Sequence, residues 1–204
     1  MTPRYTVPAQ RYRCEIEVKR SRFITTVAAT PTIEQSRDFI RTMQQEFPDA
    51  NHNCWACVVG APGATADTAM SDDGEPHGAA GKPMLTALQH SGLGDITVVV
   101  TRYFGGIHLG KGGMARAYTD AVLAALSGVT TKEKIDYCAV EIGCDYALLE
   151  PLQRLFDAYE VVVDDQQFAD QVTLFLRLPE EHLTRFTTHI TDLSHGRITI
   201  AIPA

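Results

Sequence analysis

The sequence lacks any apolar run approaching the roughly 18 residues of a membrane-spanning helix, so no membrane contact is expected. Cysteine is sparse and odd in number. Five cysteines without a dense framework argue against a disulfide scaffold and suit a reducing cytoplasm. The opening stretch, MTPRYTVPAQRYRCE, carries basic residues but no apolar core, so it does not read as a secretory signal. Internal repeats and low-complexity segments are absent too. Positive charge is scarce in one region only: from residue 137 onward there are 11 acidic and 4 basic residues, against 14 of each up to residue 136. The whole net charge of −7 therefore falls in the last third, which is ill suited to phosphate contacts along RNA. Arg11, Arg13, Lys19, Arg20 and Arg22 make a basic opening that is compatible with a polyanion, or with an ordinary solvated face.

What is present reads as two successive α+β domains. YRCEIEVKR (12–20) alternates and FITTVAAT (23–30) follows, which predicts a pair of strands. Ile33, Phe39, Ile40, Met43 and Phe47 recur at helical spacing before Pro48. NCWACVVG (53–60) reads as a buried strand. A long polar loop follows, then a short helix over 82–90 with Pro83 in its first turn. ITVVVTRYF (96–104) is the strongest strand signal, and a helix is expected from about 114 to 126. After residue 134 the pattern resets to strand, helix, strand, strand, helix, strand, the ferredoxin-like βαββαβ order. Domains are thus expected at 1–134 and 135–204.

FGGIHLGKGG (104–113) sets Gly105, Gly110 and Lys111 at the G-x-x-x-x-G-K spacing of a phosphate-binding P-loop. Gly112 stands where a Mg²⁺-holding Ser or Thr is needed, so nucleotide hydrolysis is not expected. Gly105, Gly106, Gly110, Gly112 and Gly113 leave two readings. One is a tight strand-to-helix connection. The other is an anion nest at a helix start, with Arg102, Lys111 and Arg116 nearby.

In SDDGEPHGAAGKPM (71–84), Asp72, Asp73 and Glu75, with His77, make a possible polar or metal site, although Asp-Gly and Glu-Pro also describe an ordinary turn. The turn is the favoured reading, and neither a metal nor a cofactor is expected. Cys54 and Cys57 form C-x-x-C, but residues three apart on a strand face opposite ways, so they read as buried apolar residues. His52 and Cys54 share a face without an evident third catalytic partner.

KRSRFI (19–24), HNC (52–54), SDDGEPHGAAGKPML (71–85) and VVVTRYFGGIHLGKGGMARAY (98–118) together resemble the IMPACT family over the whole length. Against the family pattern D-D-G-E-P-x-G-T-A-G-K-P, only Ala79 departs, standing where Thr is usual. In the second motif the glycines, Arg102, Arg116 and Tyr118 match, whereas Lys111 sits where relatives carry Thr or Ala. The resemblance implies an N-terminal α/β domain like domain IV of elongation factor G and a C-terminal domain like its domain V. It also implies a link to translation. The kinase-inhibiting role of eukaryotic relatives depends on an additional module that no stretch of this sequence matches.

The leading expectation is a non-enzymatic cytoplasmic factor that binds RNA or the ribosome. Its phosphate contacts would be Arg22, Lys82, Arg102, Lys111 and Arg116, and the acidic C-terminal domain would meet a protein partner. One alternative is an enzyme or small phosphate-ligand binder with its pocket between the DDGEP and glycine-rich segments. The other is a purely protein-binding regulator.

Overall fold

A computed structural model describes residues 4–63 and 67–203; the expected polar loop includes 64–66, which lie outside that set. The chain divides into two compact units, one spanning Tyr5–Lys134 and the other running from Ile135 onward with Arg4 joined to it.

The first unit runs β1 (Tyr5–Pro8), β2 (Tyr12–Val18), β3 (Ser21–Ala29), α1 (Ile33–Glu46), β4 (His52–Val58), β5 (Thr68–Ser71), α2 (Gly81–Gln89), β6 (Ile96–Tyr103), α3 (Gly110–Gly128) and β7 (Thr131–Lys134). Its main sheet has the order β2-β3-β6-β4-β5, with every neighbouring pair antiparallel. The first and last strands, β1 and β7, form a separate two-stranded ribbon.

Strand β6 is buried along almost its whole length because both faces of the sheet are covered. Val98 and Val100 pack with α2 and α3. Val99 turns the other way, onto Phe39, Ile40 and Met43 of α1. Removing each such large side chain from water contributes about 1.5–3 kcal/mol. Thr32 caps α1 by accepting the Gln35 N–H at 3.2 Å. On α3 the buried positions are Met114, Ala117, Tyr118, Ala121, Val122 and Ala125, one continuous stripe at helical spacing. The alanines allow close approach to the sheet, and Tyr118 meets Phe23 edge-on at 5.3 Å.

Three elements differ from the sequence reading. Helix α3 starts at Gly110 instead of 114, so Gly110, Gly112 and Gly113 belong to its first turn and the glycine-rich loop contracts to 104–109. β5 lies inside the expected polar loop; its four residues are half-buried or exposed and carry almost no hydrophobic pattern. The β1–β7 ribbon joins segments too far apart in sequence for either to announce the other.

The second unit contains β8 (Tyr137–Cys144), α4 (Tyr146–Gln153), β9 (Val162–Phe168), β10 (Val172–Pro179), α5 (Glu180–Ser194) and β11 (Thr199–Ala201). Strand order β11-β8-β10-β9, all antiparallel, gives the βαββαβ arrangement. Ile142, Leu174 and Leu176 pack with Leu152, Phe186 and Ile190 to form its core. No helix among the described residues is long and apolar enough to cross a membrane.

Candidate functional site

The site lies at one end of the central strands of the first unit. In the antiparallel ladder Arg102 stands opposite Phe23 of β3 and His52 of β4. Arg102 is two and four residues beyond Val100 and Val98, and so shares their face, the one covered by α2 and α3. The turn after β5 crosses this end of the sheet, and the start of α3 stands beside it. Between them is a cleft of about 500 Å³, lined among others by His52, Glu75, Arg102, Phe104, His108 and Lys111. The two polar segments singled out in the sequence thus fold side by side.

Its floor is a buried ion pair. Glu75 Oε1 accepts from Arg102 Nη1 at 2.5 Å and from the Tyr118 hydroxyl at 2.8 Å. The side chains of Arg102 and Glu75 are only 7% and 3% exposed, so each needs the other. The guanidinium also lies 5.6 and 5.7 Å from the ring centres of Phe23 and Phe104. Its Nε–H is buried without an acceptor among the described residues. On the other side of the carboxylate, Glu75 Oε2 is 3.9 Å from His52 Nε2. His52 Nδ1 is 2.8 Å from the Asp73 carbonyl oxygen; a carbonyl only accepts, so Nδ1 carries a proton and donates to it.

Cys54 extends the network inward. Its Sγ lies 2.9 Å from the Asp72 carbonyl oxygen and 3.3 Å from the Tyr118 hydroxyl. Burial pushes the Cys54 thiol up to about 12 and raises the Tyr118 phenol as well. Both stay protonated near neutrality and serve as hydrogen-bonding groups, and Cys54 has no thiolate for nucleophilic attack. Cys54 packs on the α2/α3 side, whereas Cys57 lines a groove with Ile33 and Ser36 of α1, and all five cysteines are free.

Asp72 and Asp73 lie outside the cleft lining, so the possible polar site with Glu75 is split, and both serve the turn instead. Asp72 Oδ1 accepts from Ala80 and Gly81 N–H at 3.0 and 2.8 Å, and Oδ2 from Gly78 N–H at 2.8 Å. Its partial burial alone would raise its pKa, but these three backbone donors outweigh that and hold it below the usual carboxylate range. Asp73 Oδ2 accepts the Asn53 N–H at 2.6 Å. Each carboxylate thus serves a separate stretch of backbone. Among the described residues no three His, Cys, Asp or Glu side chains converge as metal ligands.

The cationic residues separate in the same way. Asp72 fills the N-terminus of α2, so the anion seat expected beside Lys82 is already taken by the protein's own carboxylate. Lys82 is exposed and lines a different groove, with Pro83, Thr86, Thr119 and Leu123. Arg22 makes a bidentate pair with Glu15 at 2.8 and 2.9 Å, and Arg102 is matched by Glu75. Arg116 is exposed on α3 outside the cleft lining.

Only Lys111 of the expected phosphate contacts brings a cationic side chain without an ion-pair partner, among the described residues, to the cleft. Beside it the N-terminus of α3 is open: Leu109 supplies no side-chain cap and the first turn has no acidic residue. A Cβ at Gly110 or Gly112 would meet nothing within 4 Å, so the surrounding space is clear. Gly105 and Gly106 lie outside the lining. Gly105 is pressed against the Arg20 backbone, and Gly106 takes a left-handed φ of 83°.

Sequence reasoning did not assign His52, Phe104, His108, Met114 or Tyr118 to the cleft. Tyr118 had a usable signal, since it is the one hydroxyl in the otherwise apolar stripe of α3. His52 shares a strand face with Cys54, yet its partners come from a turn about twenty residues downstream.

Fold and site together define a two-unit α+β protein with a cleft built over a buried carboxylate–guanidinium pair. The Impact N-terminal domain matches residues 19–126, and a domain of unknown function (DUF1949) matches 142–197. An IMPACT family member of Haemophilus influenzae is 42% identical over 198 residues, covering 97% of this chain and 96% of that protein. IMPACT family member YigZ of Escherichia coli is 38% identical over 194 residues, with 95% of each chain covered. A crystal structure described as that of a hypothetical protein is similar at a TM-score of 0.70 and 36% identity, covering 100% of this chain and 99% of that one. The chain belongs to the IMPACT family.

Proposed function

We propose that this protein is a non-catalytic binding factor whose cleft seats a phosphate-bearing ligand at the N-terminus of α3. The observation that carries this reading is the contrast between two helix starts. That of α2 is filled by Asp72, whereas that of α3 is uncapped, clear of side chains and flanked by Lys111 on the cleft. Unpaired N–H groups at a helix start, aided by the helix dipole, favour an anion.

A compact ligand fits better than an extended strand. Arg22 and Arg102 have their charge matched by Glu15 and Glu75, and a volume of about 500 Å³ suits one nucleotide-sized molecule. RNA or the ribosome as the source of the phosphate is the second reading, favoured by the exposed Lys82, Lys111 and Arg116 on α2 and α3. A likeness to domains IV and V of elongation factor G, a cytoplasmic place beside the ribosome, and a basic protein partner for the acidic second unit belong to that reading. They rest on the family resemblance and on charge.

Calorimetric titration with inorganic phosphate and with a short RNA separates the two. The compact reading expects phosphate to bind about tenfold more weakly to Lys111→Ala, with RNA gaining little over one phosphate group. Tight RNA binding that falls steeply with salt would replace it with the extended reading. Binding of neither overturns both.

A further inference from the structure

Glu75 Oε2 and His52 Nε2 are two polar atoms whose hydrogen-bonding capacity is left unused among the described residues. Glu75 commits Oε1 to Arg102 and Tyr118. Its Oε2 makes no hydrogen bond among the described residues, yet it is not among the buried atoms left unpaired, so it reaches the cleft. His52 has its Nδ1 bound to the Asp73 carbonyl, which leaves Nε2 facing Glu75 Oε2 across 3.9 Å, beyond direct hydrogen-bond reach. A hydroxyl both donates and accepts, so hydroxyls can bond to both atoms across that gap.

The charge around the pair selects the kind of donor. Arg102 already neutralises Glu75, and Lys111 adds a positive charge to the same lining. An ammonium group would enter a cleft with a cationic surplus. Neutral hydroxyls on adjacent carbons meet no such penalty, and each can serve one of the two atoms.

Building on the phosphate seat at α3, we infer that the ligand is a phosphate ester of a vicinal diol, a sugar phosphate in chemical class. Its two hydroxyls bridge Glu75 Oε2 and His52 Nε2, and its phosphate meets the first-turn amides of α3 and Lys111. The same chemistry is offered by a free sugar phosphate and by the terminal ribose of RNA.

The test compares ribose 5-phosphate, 2-deoxyribose 5-phosphate, inorganic phosphate and phosphoethanolamine by calorimetry on the full chain. Ribose 5-phosphate is expected to bind at least about tenfold more tightly than the deoxy compound, which lacks the diol. In His52→Phe the ratio of ribose to deoxyribose ester affinity falls to about one. Equal affinity for the ribose and deoxyribose esters in the unaltered protein overturns the inference and leaves the phosphate seat standing. So does tighter binding of phosphoethanolamine than of ribose 5-phosphate. Failure of inorganic phosphate and of every ester removes the underlying reading as well. A dinucleotide with a free 3′-terminal diol identifies the source: competition no better than ribose 5-phosphate assigns the free ester, and much stronger competition assigns the RNA end.

Discussion

Replacing Glu75 with alanine is expected to lower the free energy of unfolding by about 3–5 kcal/mol, the usual cost of leaving a buried charge without its partner. Arg102 is 5% exposed and pairs with no other carboxylate among the described residues; it also meets the Met114 sulfur and the faces of two aromatic rings. Removing Glu75 also strips the Tyr118 hydroxyl of its acceptor. The loss is specific to breaking the pair. A double variant, Glu75→Leu with Arg102→Met, is expected to regain most of the stability, because replacing both charges removes the desolvation penalty together with the attraction. Urea unfolding of the two variants reads this directly. A single variant that unfolds at the midpoint of the unaltered protein would mean that the pair is solvated.

The second large effect is expected at Gly105. An alanine Cβ there would stand 2.0 Å from the Arg20 carbonyl carbon and 2.1 Å from its oxygen. Both belong to the β2–β3 turn, where Lys19 and Arg20 already hold left-handed φ values of 47° and 64°. Backbone cannot swing aside as a side-chain tip can, and the Gly105 N–H donates to Ser21 Oγ at 3.1 Å across the same contact. Gly105→Ala is therefore expected to cost about 3 kcal/mol or more. Gly112→Ala is the matched control: its Cβ meets nothing, and alanine in a helix is favoured over glycine by up to about 1 kcal/mol. Thermal melts of the two variants should shift in opposite directions. The glycines of one motif thus differ in surroundings: Gly105 is closely packed, and Gly112 faces open space at the start of α3.

That division was only partly legible in the sequence. The central strand could be read from its run of β-branched residues, and α1 and the βαββαβ order of the second unit from burial periods repeated over many residues. The start of α3 could not. Gly110, Gly112 and Gly113 argue against a helix by propensity, and the apolar stripe that stabilises it begins only at Met114. The carboxylates were harder still. Asp72, Asp73 and Glu75 are near neighbours in sequence, yet one caps α2, one holds the β4 backbone and one lies under the cleft. Which way each turns is set by the left-handed Asp73 and Gly74, with φ of 43° and 85°, and by backbone up to twenty residues distant. Composition carries no trace of that geometry.

The central claim is that the first-turn amides of α3 form an open anion seat while those of α2 are already satisfied by Asp72. A titration of the ¹⁵N-labelled protein with inorganic phosphate, followed by amide chemical shifts, tests it most directly. The account predicts saturable shifts at Lys111, Gly112 and Gly113, with Ala80 and Gly81 unmoved. Shifts centred on Ala80 and Gly81, or scattered over surface lysines without saturation, would contradict it.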